Sequence, residues 1–294
     1  MLSDTAGEDY YWLYQYGQGY GYTMGCGMLV DALGDDHFHT EILHDPNGGP
    51  FGEERFIHFA QGAGYGRRAD YTDGHSWAGG VGILADGGGD DRYDCEVYGQ
   101  GTGYWYAVGI CADKGGDDYH NAGWYSLGGS PHMGVGVFQD DQGDDRYHLT
   151  HMQSLGNGRD FSVGWFEDSS GNDWYQGGIM TFGVGDINGI GVFWDKAGDD
   201  TYLAHGPCFG QSRIEHSGSI RDNMLTLGLF VDGGGTDTYL DLTGSDYIAE
   251  RPYPPLERPY GLADFAFAGN GLAWTRATNQ NEVPGAYGCA IDAE

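Results

Sequence analysis

The chain reads as all-β, a parallel β-solenoid (β-helix) of about eight coils, and three observations predict it. One short pattern recurs, an Asp followed by Gly three residues later and by a second Asp five residues later. The leading Asp of each copy is Asp4, Asp31, Asp86, Asp113, Asp140, Asp168, Asp195 or Asp232. Plain copies are 27 residues apart, as from Asp4 to Asp31 or Asp86 to Asp113. A fixed period of about 20–50 residues marks units that cannot bury a core alone and stack to share one. Finally, each unit breaks into short apolar, β-branched or aromatic runs separated by Gly, Asn and Asp turns, with no helical period of useful length.

Each coil then reads in three parts. An apolar run leads into the first Asp, as in Ile83-Leu84, Val137-Phe138, Val192-Phe193 and Leu229-Phe230, with a Gly four residues before that Asp from Gly27 to Gly228. The Asp/Gly turn follows, and an aromatic stands two residues beyond the second Asp in seven copies; the exception has Tyr119 one place early. A Gly-rich segment such as Gly17-Gln-Gly-Tyr-Gly21 or Gly99-Gln-Gly-Thr-Gly103 closes the coil. About three strands per coil are expected, with right-handed crossovers. A β-propeller is the runner-up, but its blades need about 40–50 residues.

Residues 1–250 are assigned to the solenoid, with a longer coil over 31–86 and a loop over 211–225. Residues 251–294 hold a Pro-rich insertion and a final partial coil of the same domain, whose motif runs from Gly288 to Asp292. The excess residues fall at the same two corners of the coil. One insertion contains His39, His44 and His58, another Arg67, Arg68 and His75, and a third Arg213, His216 and Arg221. Inserted loops on one face of a solenoid often form its binding face. A chain that opens and closes inside its own repeat suggests part of something longer, or a unit that associates end to end.

A net charge of −31 with only two lysines, Lys114 and Lys196, argues against nucleic acid as a partner. No apolar stretch reaches the ~18 residues a membrane span needs, and Met1-Leu-Ser-Asp is not a signal peptide. Five cysteines without CxxC spacing give no disulfide ladder; Cys26 and Cys111 read as small buried hydrophobes.

Stacked coils lie ~4.8 Å apart, so each Asp position becomes a ladder of like charges. Two unit charges at that spacing repel by roughly 3.5 kcal/mol at an effective dielectric of ~20. A divalent cation, Ca²⁺ above all, offsets that repulsion and accepts carboxylates together with turn carbonyls. The expected metal ligands are Asp31, Asp36, Asp86, Asp91, Asp113, Asp118, Asp140, Asp145, Asp168, Asp173, Asp195, Asp200, Asp232 and Asp237. The bland alternative is an Asx-type turn in which each Asp caps backbone N–H groups and faces water. The stretches Asp86-Gly-Gly-Gly-Asp-Asp-Arg-Tyr93 and Asp232-Gly-Gly-Gly-Thr-Asp-Thr-Tyr239 resemble the haemolysin-type (RTX) calcium-binding repeat. That resemblance covers about eight residues per coil and implies calcium held by Asp and turn carbonyls in a parallel β-roll. Here there is one turn per coil instead of tandem nines, and Asp replaces the first Gly.

Four plain coils between the interrupted ones form a floor ~20 Å long. Tyr104, Trp105, Tyr106, Asn157 and Arg159, with Arg67, Arg68, His75, Arg213 and His216 on the flanking loops, are the expected ligand-binding residues for a polysaccharide or cell-surface glycan. Rings offer flat apolar area and polar groups orient the sugar. Asp160 and Asp186 on consecutive coils are candidate acids, and His132 and Arg159 candidates for a lyase-like elimination. His37 and His39 alternate to one strand face, a two-His pair whose third metal ligand the sequence does not show. The reading adopted is a secreted or surface-associated, cation-stabilised structural or carbohydrate-binding module without turnover. Its rivals are a polysaccharide lyase or glycoside hydrolase on a β-helix and a self-assembling repeat unit.

Overall fold

The computed structural model describes residues 1–41, 56–204, 208–213, 220–241, 273–276 and 286–293, and through them the chain winds as a parallel β-solenoid. Each coil contributes one strand to a first long sheet, from Leu2–Ser3 and Cys26–Val30 through Val135–Asp140 and Val163–Asp168 to Thr226–Asp232 and Ala286–Asp292. The strand after each Asp turn joins a second sheet, from Tyr10–Leu13 and His37–Thr40 to Thr238–Asp241. Two-residue strands such as Gly103–Tyr104 and Gly158–Arg159 make a third face, in one sheet of two strands and one of four. Three strands per coil are as expected.

Register follows the repeat across coils of unequal length. Gly136 stands opposite Gly164 and Asp140 opposite Asp168, although that coil has one extra residue. Asp195 pairs with Asp232 across the longer coil, and Asp232 with Asp292 across the longest. The last strand also pairs antiparallel with Ala273–Arg276.

The core is two stacked aromatic columns that meet edge to face. One, from the first sheet, stacks Phe138, Phe166, Phe193 and Phe230 at 4.8–5.2 Å between ring centroids. The other, from the second sheet, runs Tyr11, Phe38, Tyr93, His120, Tyr147, Tyr175, Tyr202 and Tyr239, with nearly parallel rings. The copy whose aromatic looked displaced is therefore no exception, because His120 supplies the ring. The invariant Gly before each Asp has a steric cause. A Cβ at Gly82, Gly109 or Gly228 would overlap the carbonyl oxygen of Ala63, Thr102 or Gln211, where the coil closes on itself. The opposite side of the first sheet is also apolar, with Val81, Val108, Val135, Val163 and Ile190 aligned coil upon coil.

Both loops that can be followed leave the coil at one corner, between the third-face strand and the next strand of the first sheet. One follows Gly64–Tyr65, and the other follows Ser212–Arg213 and ends in the short 3-10 turn Ile220–Asn223. The inserted residues 42–55, the Pro-rich segment and His216 lie outside the described residues. All five cysteines are free; Cys111 is buried as expected, whereas Cys26 is exposed, because its position in the strand points away from the core.

Candidate cation sites in the buried aspartate column

Both repeated Asp side chains point into the coil. Asp31, Asp36, Asp86, Asp91, Asp113, Asp118, Asp140, Asp145, Asp168, Asp173, Asp195, Asp200, Asp232 and Asp237 are all buried. That differs from a water-screened turn, and strand alternation is the reason. The leading Asp lies two residues beyond an inward Leu or Phe, and the second Asp two residues before the inward aromatic, so both share the inward face. The acidic residue between turn and strand, at Asp35, Asp90, Asp117, Asp144 and Asp199, is exposed.

The hydrogen bonds account for part of this column. The leading Asp caps its own turn through Oδ1, accepting the N–H of Gly88 at Asp86 (2.8 Å) and of Gly115 at Asp113 (3.0 Å). Its Oδ2 takes the tyrosine hydroxyl of the preceding coil. Tyr147 donates to Asp168 (2.6 Å), Tyr175 to Asp195 (2.6 Å) and Tyr202 to Asp232 (2.8 Å), and Tyr11 and Tyr93 likewise to Asp31 and Asp113. The second Asp works between coils, its Oδ1 accepting the backbone N–H of the same Asp one coil earlier. Asp36 N–H reaches Asp91 at 2.6 Å, Asp91 reaches Asp118 at 2.6 Å, and Asp118 reaches Asp145 at 2.7 Å. The Asx-turn account thus explains one oxygen of a leading Asp such as Asp86 or Asp113, while the second Asp spends one oxygen on the neighbouring coil.

The other oxygens are the informative ones. Among the described residues no donor reaches Oδ2 of Asp36, Asp86, Asp91, Asp118 or Asp200, or Oδ1 of Asp140. At Asp86 the cause is visible, since the ring below it is Phe38, which has no hydroxyl to give. Several of these carboxylates converge with their neighbours. Carboxylate atoms of Asp31, Asp36 and Asp86 lie within 4.8 Å of one another, as do those of Asp86, Asp91 and Asp113. Asp118, His120 and Asp140 form a variant with a ring nitrogen, and neither nitrogen of the buried His120 has a hydrogen-bond partner.

Desolvation by burial is the largest cause raising Asp86, Asp91, Asp140, Asp168, Asp195 and Asp232, and neighbouring carboxylates add to it against the hydrogen bonds they accept. Asp86 is pushed up to about 6, Asp195 and Asp232 to about 7 and Asp91 to about 9, with Asp140 and Asp168 well above the usual carboxylate range. A buried carboxylate without a counter-charge is untenable, so protons shared between carboxyls or cations between them must complete the column. An all-oxygen donor set with unfilled carboxylate oxygens fits a hard divalent cation.

The expected glycan and catalytic residues gather at another corner, and there every acid has a basic partner. Arg159 stands opposite Asp186 in the strand register and is ion-paired with it, while Arg213 Nε lies 3.8 Å from the same carboxylate. Asp160 is one position out of that register; it is held by His132 Nδ1 at 2.7 Å and by Arg221. Burial alone would raise Asp160, but these two partners outweigh it and hold the carboxyl at about 2. Trp105 is buried, with Arg68 over its ring, and Asn157 is buried and donates to the Val184 carbonyl. Tyr104 is half-buried against His132, and Tyr106 faces solvent. On the loop, Arg67 pairs with Asp73 and Arg68 with Asp70, and the His75 N–H caps Asp73. The corner itself is tight. Trp105-Tyr106, His132-Met133, Asp160-Phe161 and Ile187-Asn188 all have positive φ at both residues, the pattern of a type I′ turn.

Fold and site together define an acidic parallel β-solenoid with a buried carboxylate–tyrosine column. No protein-family model matches the chain, and no curated protein or solved structure matches it. The tyrosine hydroxyls are the functional groups that sequence reasoning missed, although the recurrent Tyr two residues after the second Asp was their signal.

Proposed function

We propose that the chain is a non-catalytic structural solenoid whose coils are tied together by divalent cations, Ca²⁺ foremost, held in the buried aspartate column. The observation that carries this is the convergence of buried carboxylates in threes from two successive coils, in which Asp36, Asp86 and Asp91 each keep an oxygen that no donor reaches among the described residues. The resemblance of the turns to haemolysin-type repeats points the same way. A secreted or cell-surface setting suits such sites, because extracellular calcium modules work at about 10⁻⁴–10⁻³ M. An ion bound only by the folded state adds about 2.7 kcal/mol at a hundred times its Kd. Each kcal/mol is worth roughly 2–4 °C in a chain of this size class. At millimolar Ca²⁺ and a Kd of ~10⁻⁴ M the gain is about 1.4 kcal/mol per site, so protein stripped with EDTA is expected to melt roughly 3–6 °C lower for each site filled. Superimposable melting curves would remove the cation reading.

A glycan-binding role has one specific support. Between the two loops, Tyr106 (57 %) and Phe161 (40 %) are exposed, and the Arg221 guanidinium lies 4.6 Å from the Phe161 ring centroid. Rings of that kind are what a sugar stacks on. Turnover has less support, since Asp186 is fully buried and Asp160 stays ionised at neutral pH, which leaves no carboxylic acid to protonate a leaving group. Binding on a glycan array that disappears in both Tyr106→Ala and Phe161→Ala is the expected outcome of this second reading. An array without hits leaves the structural role alone.

A further inference from the structure

The second sheet brings together, on its outward side, a group that the sequence keeps far apart. In the strand His37–Thr40 the side chains of His37 and His39 point outward, while Phe38 between them is buried in the core. The next coil lays Arg92–Val97 alongside in parallel, with His37 opposite Arg92 and His39 opposite Asp94. The longer coil separates these partners by 55 residues in sequence and by a single strand spacing in space.

Asp94 Oδ2 lies 2.7 Å from His37 Nε2 and 3.6 Å from His39 Nδ1, and one donor atom from each of the three residues falls within 4.8 Å of the others. His39 Nδ1 is buried and has no hydrogen-bond partner among the described residues, so a ring nitrogen is aimed at the cluster without a proton contact to satisfy it. On the far side of that ring, Nε2 is 3.8 Å from Glu41 Oε2. At that distance the carboxylate is a neighbouring charge for the ring, since its Oε2 accepts its hydrogen bond from Trp12 Nε1 at 3.2 Å. The Tyr10 ring packs edge-on against His37 and stacks on His39, which limits where both imidazoles can turn. Asp94 is anchored from behind, its Oδ1 accepting from Arg92 (2.8 Å) and from Asn121 (3.1 Å). Arg92 Nε also donates to Oδ2 at 2.7 Å and is the competitor for that oxygen. Its side chain is about half exposed and rests over the Tyr119 ring, free to keep the Oδ1 bond while yielding Oδ2.

We propose that His37, His39 and Asp94 form a site for one first-row transition-metal ion of the Zn²⁺ class, bound through His37 Nε2, His39 Nδ1 and Asp94 Oδ2. Two imidazoles and a carboxylate with a remaining open position are a zinc-type donor set, unlike the Asp31–Asp36–Asp86 and Asp86–Asp91–Asp113 sets of the column, which offer carboxylate oxygens alone. Metal–ligand bonds of about 2.0–2.2 Å require the His37–Asp94 pair to open by a few tenths of an ångström, and both side chains lie on the outer surface of the sheet. The site is independent of the cation-column reading.

Titration of the full chain with Co²⁺ tests it, because a low-symmetry site with nitrogen ligands gives strong visible absorption, whereas octahedral all-oxygen coordination gives little. One equivalent of absorbing Co²⁺, displaced by Zn²⁺, is expected. His37→Ala and His39→Ala should abolish the absorption and Asp144→Asn, at an exposed acid outside both sites, should leave it intact, with unchanged circular dichroism of the two histidine variants showing that they fold. Absence of the band in the unaltered chain overturns the site, and so does a band that survives both histidine substitutions.

Discussion

Two regions of this molecule bury acids in opposite ways. At the third-face corner, Asp160 and Asp186 are each met by basic side chains, and Asp160 is held well below the usual carboxylate range. In the column, Asp86, Asp91, Asp118 and Asp140 have no lysine or arginine paired with them among the described residues, and burial drives them upward. The difference shows what a repeat does to electrostatics. A ladder repeats one residue type at one position, so it cannot alternate acid and base, and its counter-charge must come from tyrosine hydroxyls, protons or ions. The corner escapes that constraint because its coils carry different residues at each step, Pro131, Arg159, Asp186 and Arg213 in succession.

The sharpest way to break this comparison is to remove one acid from each region. Asp168→Ala leaves the Ser170 N–H without its acceptor and the Tyr147 hydroxyl without its shortest one, the next being Asp140 at 3.2 Å, and opens a cavity in a closed core; it is expected to cost about 2–4 kcal/mol. Asp160→Ala, at the solvent-facing corner, should cost about 1 kcal/mol or less. Chemical denaturation of the two variants decides; equal losses would mean that the column is an ordinary set of capped turns.

A smaller effect of opposite sign comes from Phe38. It interrupts the tyrosine column just where Asp86 Oδ2 lacks a donor, and its ring already stacks between Tyr11 and Tyr93. Phe38→Tyr should therefore stabilise the fold by about 0.5–1.5 kcal/mol, the worth of one new hydrogen bond. Destabilisation in the same assay would show that the space beside Asp86 is not arranged as its neighbours are.

Much of the architecture was legible in the sequence. The period, the Gly before each Asp and the alternation of apolar residues lead to the parallel sheets, and even the ninth motif falls in register as Gly288 and Asp292. The direction of the Asp side chains was harder to see. Acidic residues in a Gly-rich turn look exposed until the turn is placed between two strands whose inward positions they continue. Asp94 was invisible as a partner of His39 because the lengthened coil hides the register, and Asp160 looked level with Asp186 although Arg159 occupies that place. Trp105 looked like a platform for sugar but is folded under Arg68, a consequence of two successive residues with positive φ at that corner.

The central claim, that protons and cations compete for the aspartate column, is tested most directly by melting metal-stripped protein from pH 4 to pH 9, with and without Ca²⁺. The folded-state values of these acids lie above their unfolded value of about 3.9, so the stability they contribute is fully present below that value. It is lost as pH rises through about 6 for Asp86, about 7 for Asp195 and Asp232 and about 9 for Asp91. Stripped protein should thus lose stability steadily across this range, and Ca²⁺ should restore it increasingly toward pH 9, where fewer protons remain to displace. A stripped protein equally stable at pH 5 and pH 9, with a Ca²⁺ effect that does not grow with pH, would contradict the account.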